Sequence, residues 1–572
     1  MSHSKPLESS QGPLAYLQSN AGFVASTVVA LGVAAAIVTR DAASKNAATV
    51  SAAIQNSTAA PQGFLMTQID ALSKLVDSHL DVTPLTFKLA IAVLVLGAIL
   101  LLDQINYRRR KQSLPGPKWV PPLIGFFYDS VNPKFEGYMA QWNLGRISFT
   151  SVFQHFIMIG SDNDISRYFF NTPGSFVPCL VASMKTIICP DNFVFLGGKA
   201  HVEYRKSLNP LFTPAALTSY LPLQFESYQK HVDMWLENKG KSLQYQIPIR
   251  ELNMDTSLNV FCGKYMPDDV RMKISERYYD ITAALQLVNF PFAFPGTNVY
   301  RAVQARKYIV SEIQKCVVLA RASMAKGNPS TCLLDTWLQT QLAAKAKADA
   351  AEDDENFVPP RQFSDAEMAL VVLTFIFASQ DASTASVTWM LQCLADNPDV
   401  LAKVREENAR VRPNNEPVSG DNVKDLVYTR QVAKEVLRYR PPVIMVPYAA
   451  SKDVVLEDGT KIANGTIVIP SIYPSLHDPK VYANPDKFDP DRFGPERQED
   501  IKSPRNWLVF GHGTHLCLGR EYAVSHLLAF MAYISMRCDW KHNRTAESDD
   551  ITVFATIYPK DQLHLEVTER TA

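Results

Sequence analysis

Between Ser364 and Asp396 the chain carries one long helical run whose apolar residues do not gather on one side. Ser364-Asp365-Ala366-Glu367 is a capping box, with Ser364 at the N-cap and Glu367 at the third helical position. Asn397-Pro398 closes the run, because proline removes a backbone donor and clashes with the preceding turn. From Leu370 to Met390 nearly every face is apolar, which implies burial on all sides. At 572 residues the chain exceeds an ordinary domain, yet an α-rich chain of this size can fold around one extended core. Within the buried middle sit Ser379, Gln380, Asp381 and Ser383. A buried carboxylate is costly unless paired, so Asp381 either bonds a structural partner or performs chemistry; the residues alone weigh these equally.

The second constraint is Phe510-Gly-His-Gly-Thr-His-Leu-Cys-Leu-Gly519. Glycines at 511, 513 and 519 let the backbone turn tightly and approach a flat ligand, and Cys517 is the single thiol of the loop. A helix-forming segment runs on from Arg520 to Met536, so the sulfur stands near a helix N-terminus, which favours a thiolate. A lone loop cysteine is more often structural than catalytic. The other cysteines are scattered without a CxxC pair, which indicates a reducing compartment and no structural zinc. Lys+Arg and Asp+Glu are both 57, so no global charge points to nucleic acid.

The N-terminal part differs in character. Residues 1–84 form an extension, within which 21–39 is long enough to be a second span, a surface-lying helix or a targeting segment. If it spans, Asn56-Ser57-Thr58 becomes a usable glycosylation sequon. Residues 85–102 are expected to be a transmembrane helix, and Arg108, Arg109, Arg110 and Lys111 place the remainder of the chain in the cytosol by the positive-inside rule. Residues 103–122, with Leu114-Pro115-Gly116-Pro117, are expected to be a stiff basic and proline-rich hinge, and 123–572 a cytosolic catalytic domain.

In that domain Ile147 to Ile159 has the composition of a strand pair. Gly198 to Lys206 should be helical, with His201 and Arg205 on one face. Tyr278 to Pro295 mixes Leu285, Leu287 and several phenylalanines with prolines and is too broken for one helix; Ala344 to Arg361 is expected to be an exposed connector. Glu435 and Arg438 lie three apart on a helix that ends at Pro441-Pro442; an exposed pair of this kind would contribute only a few tenths of a kcal/mol, roughly.

The pattern Phe510, Gly513, Cys517 and Gly519 resembles the haem-binding loop of the cytochrome P450 family, and the rest of the chain supplies further matches in order. Glu435-x-x-Arg438 and Arg492 in Pro490-Asp491-Arg492-Phe493 are similar to the family's structural Glu-Arg-Arg cluster. Ala378-Ser379-Gln380-Asp381-Ala382-Ser383 resembles its oxygen-activation motif, with Asp381 as the acid, Ala382 where the alcohol usually stands, and Ser383 next to it. The resemblance implies a mainly α fold with small β-sheets, haem b iron ligated by Cys517, and propionate contacts from His515, Arg205 and His201, the last in place of the commoner tryptophan. Thiolate ligation pushes electron density onto iron and favours O–O cleavage.

Longer matches, Arg438 to Tyr448, Val553 to Asp561, and Phe195 to Leu208, look like the family's fungal sterol C-22 desaturases of ergosterol synthesis. They imply a 5,7-diene sterol whose side chain lies against Val443, Ile444, Met445, Thr556, Ile557, Leu285 and Leu287. They imply as well an endoplasmic reticulum membrane and electrons from NADPH through a separate flavoprotein reductase, since the chain has no convincing dinucleotide-binding motif. A sterol 14-demethylase or hydroxylase of the same fold, or a non-catalytic haem- or sterol-binding membrane protein, is the alternative.

Overall fold

The computed structural model describes residues 84–126, 133–153, 155–179, 182–285, 292–350, 361–553 and 556–571. The 21–39 segment, the Asn56 sequon and the rest of the extension before Pro84 lie outside them, as does Leu287. The chain divides into two units, at Asn106 and Tyr107.

Helix α1 (Pro84–Lys111) accounts for the described part of the first unit. Its Leu89, Val93, Leu94, Leu96 and Leu101 are exposed. From Leu89 to Lys111 it offers 23 helical residues, enough at about 1.5 Å each to cross a hydrocarbon layer of about 30 Å, so it is a candidate membrane anchor. The helix does not stop at Leu102 as the apolar run suggests. Nothing from Asp103 onward breaks it, and four basic residues in its last turn complement the negative end of the dipole.

The second unit opens with a strap rather than a free hinge. Tyr107 is buried, and its hydroxyl donates to the Pro117 carbonyl at 2.8 Å. The Phe149 N–H donates to the Pro115 carbonyl at 2.8 Å. Gly116 holds φ +140°, and a Cβ there would stand 2.1 Å from the Phe149 carbonyl oxygen, so only glycine lets the strap lie this close. The expected hinge is thus helical to Lys111 and then fastened to a strand edge.

That strand is β1 (Ile147–Val152), paired antiparallel with β2 (His155–Gly160) as the composition suggests. With β3 (Phe176–Pro178), β4 (Tyr448–Ala450) and β5 (Ile467–Pro470) they form a five-stranded sheet ordered β1-β2-β5-β4-β3. The main helices are α2 (Gly198–Leu208), α3 (Pro214–Leu236), α4 (Gln246–Cys262), α5 (Asp268–Ala283), α6 (Asn298–Ala325), α7 (Leu333–Ala350), α8 (Asp365–Asp396), α9 (Val427–Tyr439) and α10 (Arg520–Arg537). A two-stranded ribbon, β6 (Ile551–Val553) with β7 (Ile557–Pro559), lies near the C-terminus.

The long run is realised as α8, and its capping box is complete: the Glu367 N–H donates to Ser364 Oγ at 3.2 Å and the Ser364 N–H to Glu367 Oε2 at 2.9 Å. It is apolar enough to pass for a membrane span, but 67% of that window is buried inside the protein. Helices α4, α6, α9 and α10 pack against it. One expectation changes. Residues Ala344 to Ala350 belong to α7, because alanine and lysine are strong helix formers even where no face is buried. Tyr278 to Pro295 is not one helix, as expected: Tyr278 to Ala283 close α5, after which Phe292 and Phe294 stand 61% and 65% exposed.

Candidate functional site

The 510–519 loop is shaped by two left-handed glycines. Gly511 and Gly513 have φ +74° and +75°, and a Cβ on Gly513 would meet the Phe170 carbonyl oxygen at 2.7 Å and Asn171 Oδ1 at 2.8 Å. Gly519 differs: its φ is −89° and a Cβ there would meet nothing within 4 Å. The protein's own packing does not require glycine at 519, so space is kept beside Cys517. The Cys517 N–H donates to the Phe510 carbonyl at 2.9 Å, closing the loop on itself.

Cys517 has exposed surface, yet burial pushes its thiol up, outweighing the lowering by the Gly519 N–H and by the charges of Arg205 and Arg520. The helix N-terminus favours the thiolate through the Gly519 N–H, as expected, but does not by itself outweigh burial. A metal ion bound at this accessible sulfur would deprotonate it outright.

Around the loop stand the three expected donors. His201 and Arg205 project from α2, and His515 lies in the loop itself. The His201 and His515 rings are 4.0 Å apart, and Arg205 Nη1 donates to the Leu516 carbonyl at 2.5 Å. Desolvation, with His201 and Arg205 nearby, pushes His515 down to about 4, so its ring is neutral. Burial and Arg205 likewise lower His201. Among the described residues no carboxylate pairs with Arg205. A partly buried guanidinium beside two neutral imidazoles is a donor set suited to carboxylate groups.

On α8, Ala378 is exposed although the helix on either side is buried, and Ala382, one turn on, is half-buried; this face opens onto space. Asp381 points elsewhere. Its carboxylate is bound by Arg250 of α4, and Thr282 of α5 donates to Oδ2 at 3.5 Å. The Asp381 carbonyl accepts from the Tyr558 hydroxyl at 3.0 Å and from Thr556 Oγ1 at 3.5 Å. Thr384 and Ser386 donate back to carbonyls of their own helix, whereas Ser383 is half-buried and enters no such bond. Arg250, Thr282 and Tyr558 are not singled out by the sequence. Arg250 has a signal of a kind, a lone cation in a helix whose other residues are almost all buried, which demands an anion somewhere in the fold.

A second polar chain joins α10 to α8. Tyr228 donates to His526 Nδ1 at 2.7 Å, His526 Nε2–H to Asn253 Oδ1 at 2.8 Å, and Asn253 Nδ2 to Thr384 Oγ1 at 3.3 Å. Thr384 ends it on the Gln380 carbonyl at 2.7 Å. Burial lowers His526 to about 4, which keeps the ring neutral and fixes this direction of donation.

Glu435, Arg438 and Arg492 are wholly buried together. Arg438 grips Glu435 through Nε at 2.7 Å and Nη2 at 2.9 Å, and Arg492 Nε donates to Glu435 Oε1 at 3.3 Å. The remaining guanidinium N–H groups hold carbonyls of Leu476, Ala483, Asn484 and Lys487. This is a clamp on loops, with no face left for a ligand.

Of the residues expected along a substrate, Val443, Met445 and Leu285 are half-buried and Thr556 is 6% exposed. Ile444 and Ile557, at 5% and 0%, are packed in a small aromatic core with Phe135, Trp142, Ile159 and Tyr473. Met445 packs against the same cluster. A separate cavity of about 330 Å³ lies beside the loop, lined by Arg430, Lys434, Trp507, Phe510, Arg520 and neighbours.

An accessible, desolvated thiol, an unfilled position at Gly519 and a carboxylate-seeking trio together fit haem held by Cys517, with its propionates on His201, Arg205 and His515.

Comparison with known proteins gives a consistent picture. Residues 149–565 match the family model "Cytochrome P450". The C-22 sterol desaturase erg5 of Aspergillus fumigatus is 44% identical over 88% of this chain and 97% of that protein. The C-22 sterol desaturase ERG5 of Saccharomyces cerevisiae is 39% identical over 86% of this chain and 92% of its own length. Among solved structures, retinoic acid-bound cyanobacterial CYP120A1 superposes with a TM-score of 0.68 at 23% identity, covering 80% of this chain and all of that one, which speaks for the fold alone.

Proposed function

Since the chain belongs to the cytochrome P450 family, we propose that this oxidoreductase introduces the C-22/C-23 double bond into the side chain of a 5,7-diene sterol. The observation that carries the reaction is the match, at 44% identity over 88% of this chain, to a protein named a C-22 sterol desaturase. One dioxygen, two electrons and two protons, with two hydrogens from the sterol, yield the alkene and two waters. Haem bound through Cys517 supplies dioxygen activation, its thiolate favouring O–O cleavage.

The chain's own residues do the rest. Arg205, His515 and His201 hold the propionates, and Glu435, Arg438 and Arg492 keep the loops around the site in register. Val443, Met445, Thr556, Leu285 and Leu287 offer apolar contacts to the sterol tail, with Ile444 and Ile557 behind them. Asp381 passes protons inward from its carboxylate, and Ser383 Oγ hands them on in place of the alcohol that Ala382 lacks. For this Asp381 must exchange Arg250 for water in part of the cycle.

Electrons come from NADPH through a separate flavoprotein reductase. Of the cations around the cavity beside the loop, Lys434 is paired with Asp500 and Arg520 with Glu521, which leaves Arg430 to meet an acidic partner. Helix α1 anchors the enzyme in the endoplasmic reticulum membrane with the catalytic unit in the cytosol.

The test is turnover reconstituted with reductase, NADPH and a 5,7-diene sterol lacking the C-22 double bond. Loss of two mass units with the new alkene at C-22 is the expected result. Gain of one oxygen instead, or no product despite a thiolate-type reduced-CO spectrum, would overturn the substrate and reaction assignment.

A further inference from the structure

Strand β7 is fastened to the acid-bearing turn of α8 and, on its other side, to the segment Pro442–Met445. Trp389 Nε1 of α8 donates to the Ile557 carbonyl at 3.0 Å, and the Tyr558 hydroxyl donates to the Asp381 carbonyl at 3.0 Å. The Ile557 N–H donates to the Pro442 carbonyl at 3.2 Å. Tyr558 is 4% exposed, and its phenol, raised by burial, stays protonated and able to donate. The acceptor is a helix carbonyl with two lone pairs, so it can take this bond beside its helical one, and Thr556 Oγ1, at 3.5 Å, is the weaker sharer of the second pair.

Asp381 is therefore held from two directions, its carboxylate by α4 and α5 and its carbonyl by β7. The next two residues are Ala382 and Ser383, on the stretch of helix that opens onto space. Thr556, two residues before Tyr558, is a substrate-contact candidate, as are Val443 and Met445 beyond Pro442.

We propose that Tyr558 is a positioning residue: its hydroxyl, bonded to the Asp381 carbonyl, fixes the acid-bearing turn of α8 relative to the strand and segment that meet the sterol side chain. Through that bond Tyr558 sets how far Asp381 and Ser383 stand from the carbon chain being desaturated. A motif without an alcohol at Ala382 has one fewer side chain to order this turn, and the phenol supplies the order from outside the helix. The inference rests on the desaturase reading only for its second readout.

The experiment uses full-length holoenzyme carrying Tyr558→Phe. Haem content and the reduced-CO spectrum should match wild type. Amide hydrogen exchange over residues 381–386 should quicken by about fivefold, the ratio that one ordinary hydrogen bond sustains. Hydrogen peroxide released per NADPH should rise, and alkene formed per NADPH should fall. Unchanged exchange over 381–386 would overturn the proposal whatever the substrate proves to be. Quickened exchange in an enzyme whose wild type makes no alkene would fault the desaturase reading and leave the positioning role standing. If Tyr558→Phe does not retain haem, 3-fluorotyrosine placed at 558 keeps the ring and strengthens the donor. Slower exchange over the same residues would then support the role, and unaltered exchange would sink it.

Discussion

Replacing Asp381 tests two roles at once, and the structure shows how to separate them. Asp381 is 4% exposed and bound to Arg250, whose side chain is 15% exposed. Removing one partner of a buried pair costs about 3–5 kcal/mol, because the other charge is left uncompensated. Arg250 keeps a bond to Thr282 Oγ1 at 2.6 Å and some access to solvent, which puts Asp381→Ala near the lower end, at about 3 kcal/mol. Against a total of about 5–15 kcal/mol this is a large loss, and low turnover in that variant would prove little. The companion is Asp381→Leu combined with Arg250→Met, which removes both charges and should recover most of the stability. Urea unfolding, followed by loss of the thiolate-type spectrum and by far-UV circular dichroism, measures stability; reconstituted turnover measures chemistry. If Asp381 carries protons, the double variant is stable and haem-loaded yet turns over at a small fraction of the wild-type rate. Recovery of turnover along with stability would refute the proton-carrying role and leave the carboxylate a structural partner of Arg250.

Glycines 513 and 519 should behave differently. Gly513→Ala forces a Cβ to within 2.7 Å of the Phe170 carbonyl oxygen and should destabilise the fold itself, seen as a lowered Tm even before haem content is compared. Gly519→Ala meets no protein atom and should fold normally but bind haem more weakly in a titration. Glu435→Gln leaves the buried Arg438 on a neutral acceptor, while Arg492 keeps Glu499 at 3.5 Å, and should cost about 3 kcal/mol in urea unfolding, with poor haem retention as a consequence. Asp255 governs an acid limb: burial alone would raise its carboxyl, but bonds from His231 and Lys230 bring it from 3.8 down to about 2. Its folded state thus binds the proton less well than the unfolded chain. The resulting stability, about 2 kcal/mol, is full above pH 4–5 and lost as the pH falls toward 2. The stability gap between wild type and Asp255→Asn, measured at pH 7 and again at pH 3, should shrink by roughly half.

What could be foreseen from the chain was what is encoded locally. The Ser364–Glu367 box and the Asn397-Pro398 stop delimit α8 within one residue, because capping and proline act over a single turn. The Cys517 loop and the strand pair are similarly local. Long-range partners were not foreseeable in this way. Arg250 and Asp381 are 131 residues apart, and no pattern in either segment names the other. The Glu435–Arg438 pair looks like a surface pair in isolation; its complete burial depends on Arg492 and four loop carbonyls, so only the resemblance gave it weight. Ile444 and Ile557 looked suited to a sterol tail because they are apolar, but hydrophobicity does not say whether a side chain faces a cavity or the core behind it.

The bonds that run from Tyr228 through His526 and Asn253 to Thr384 also decide how two helices can meet. Helices in contact along apolar faces can slide past one another by a turn, about 5.4 Å, and find contacts almost as good. A row of donors that all point the same way permits no such slip, since any shift leaves a buried donor facing a donor or an acceptor facing an acceptor. The row therefore works as a key in a slot, admitting a single register between α10 and α8. As α10 begins where the Cys517 loop ends, the same key indexes the thiol to the helix that carries Asp381, and it does so before any ligand arrives to align them.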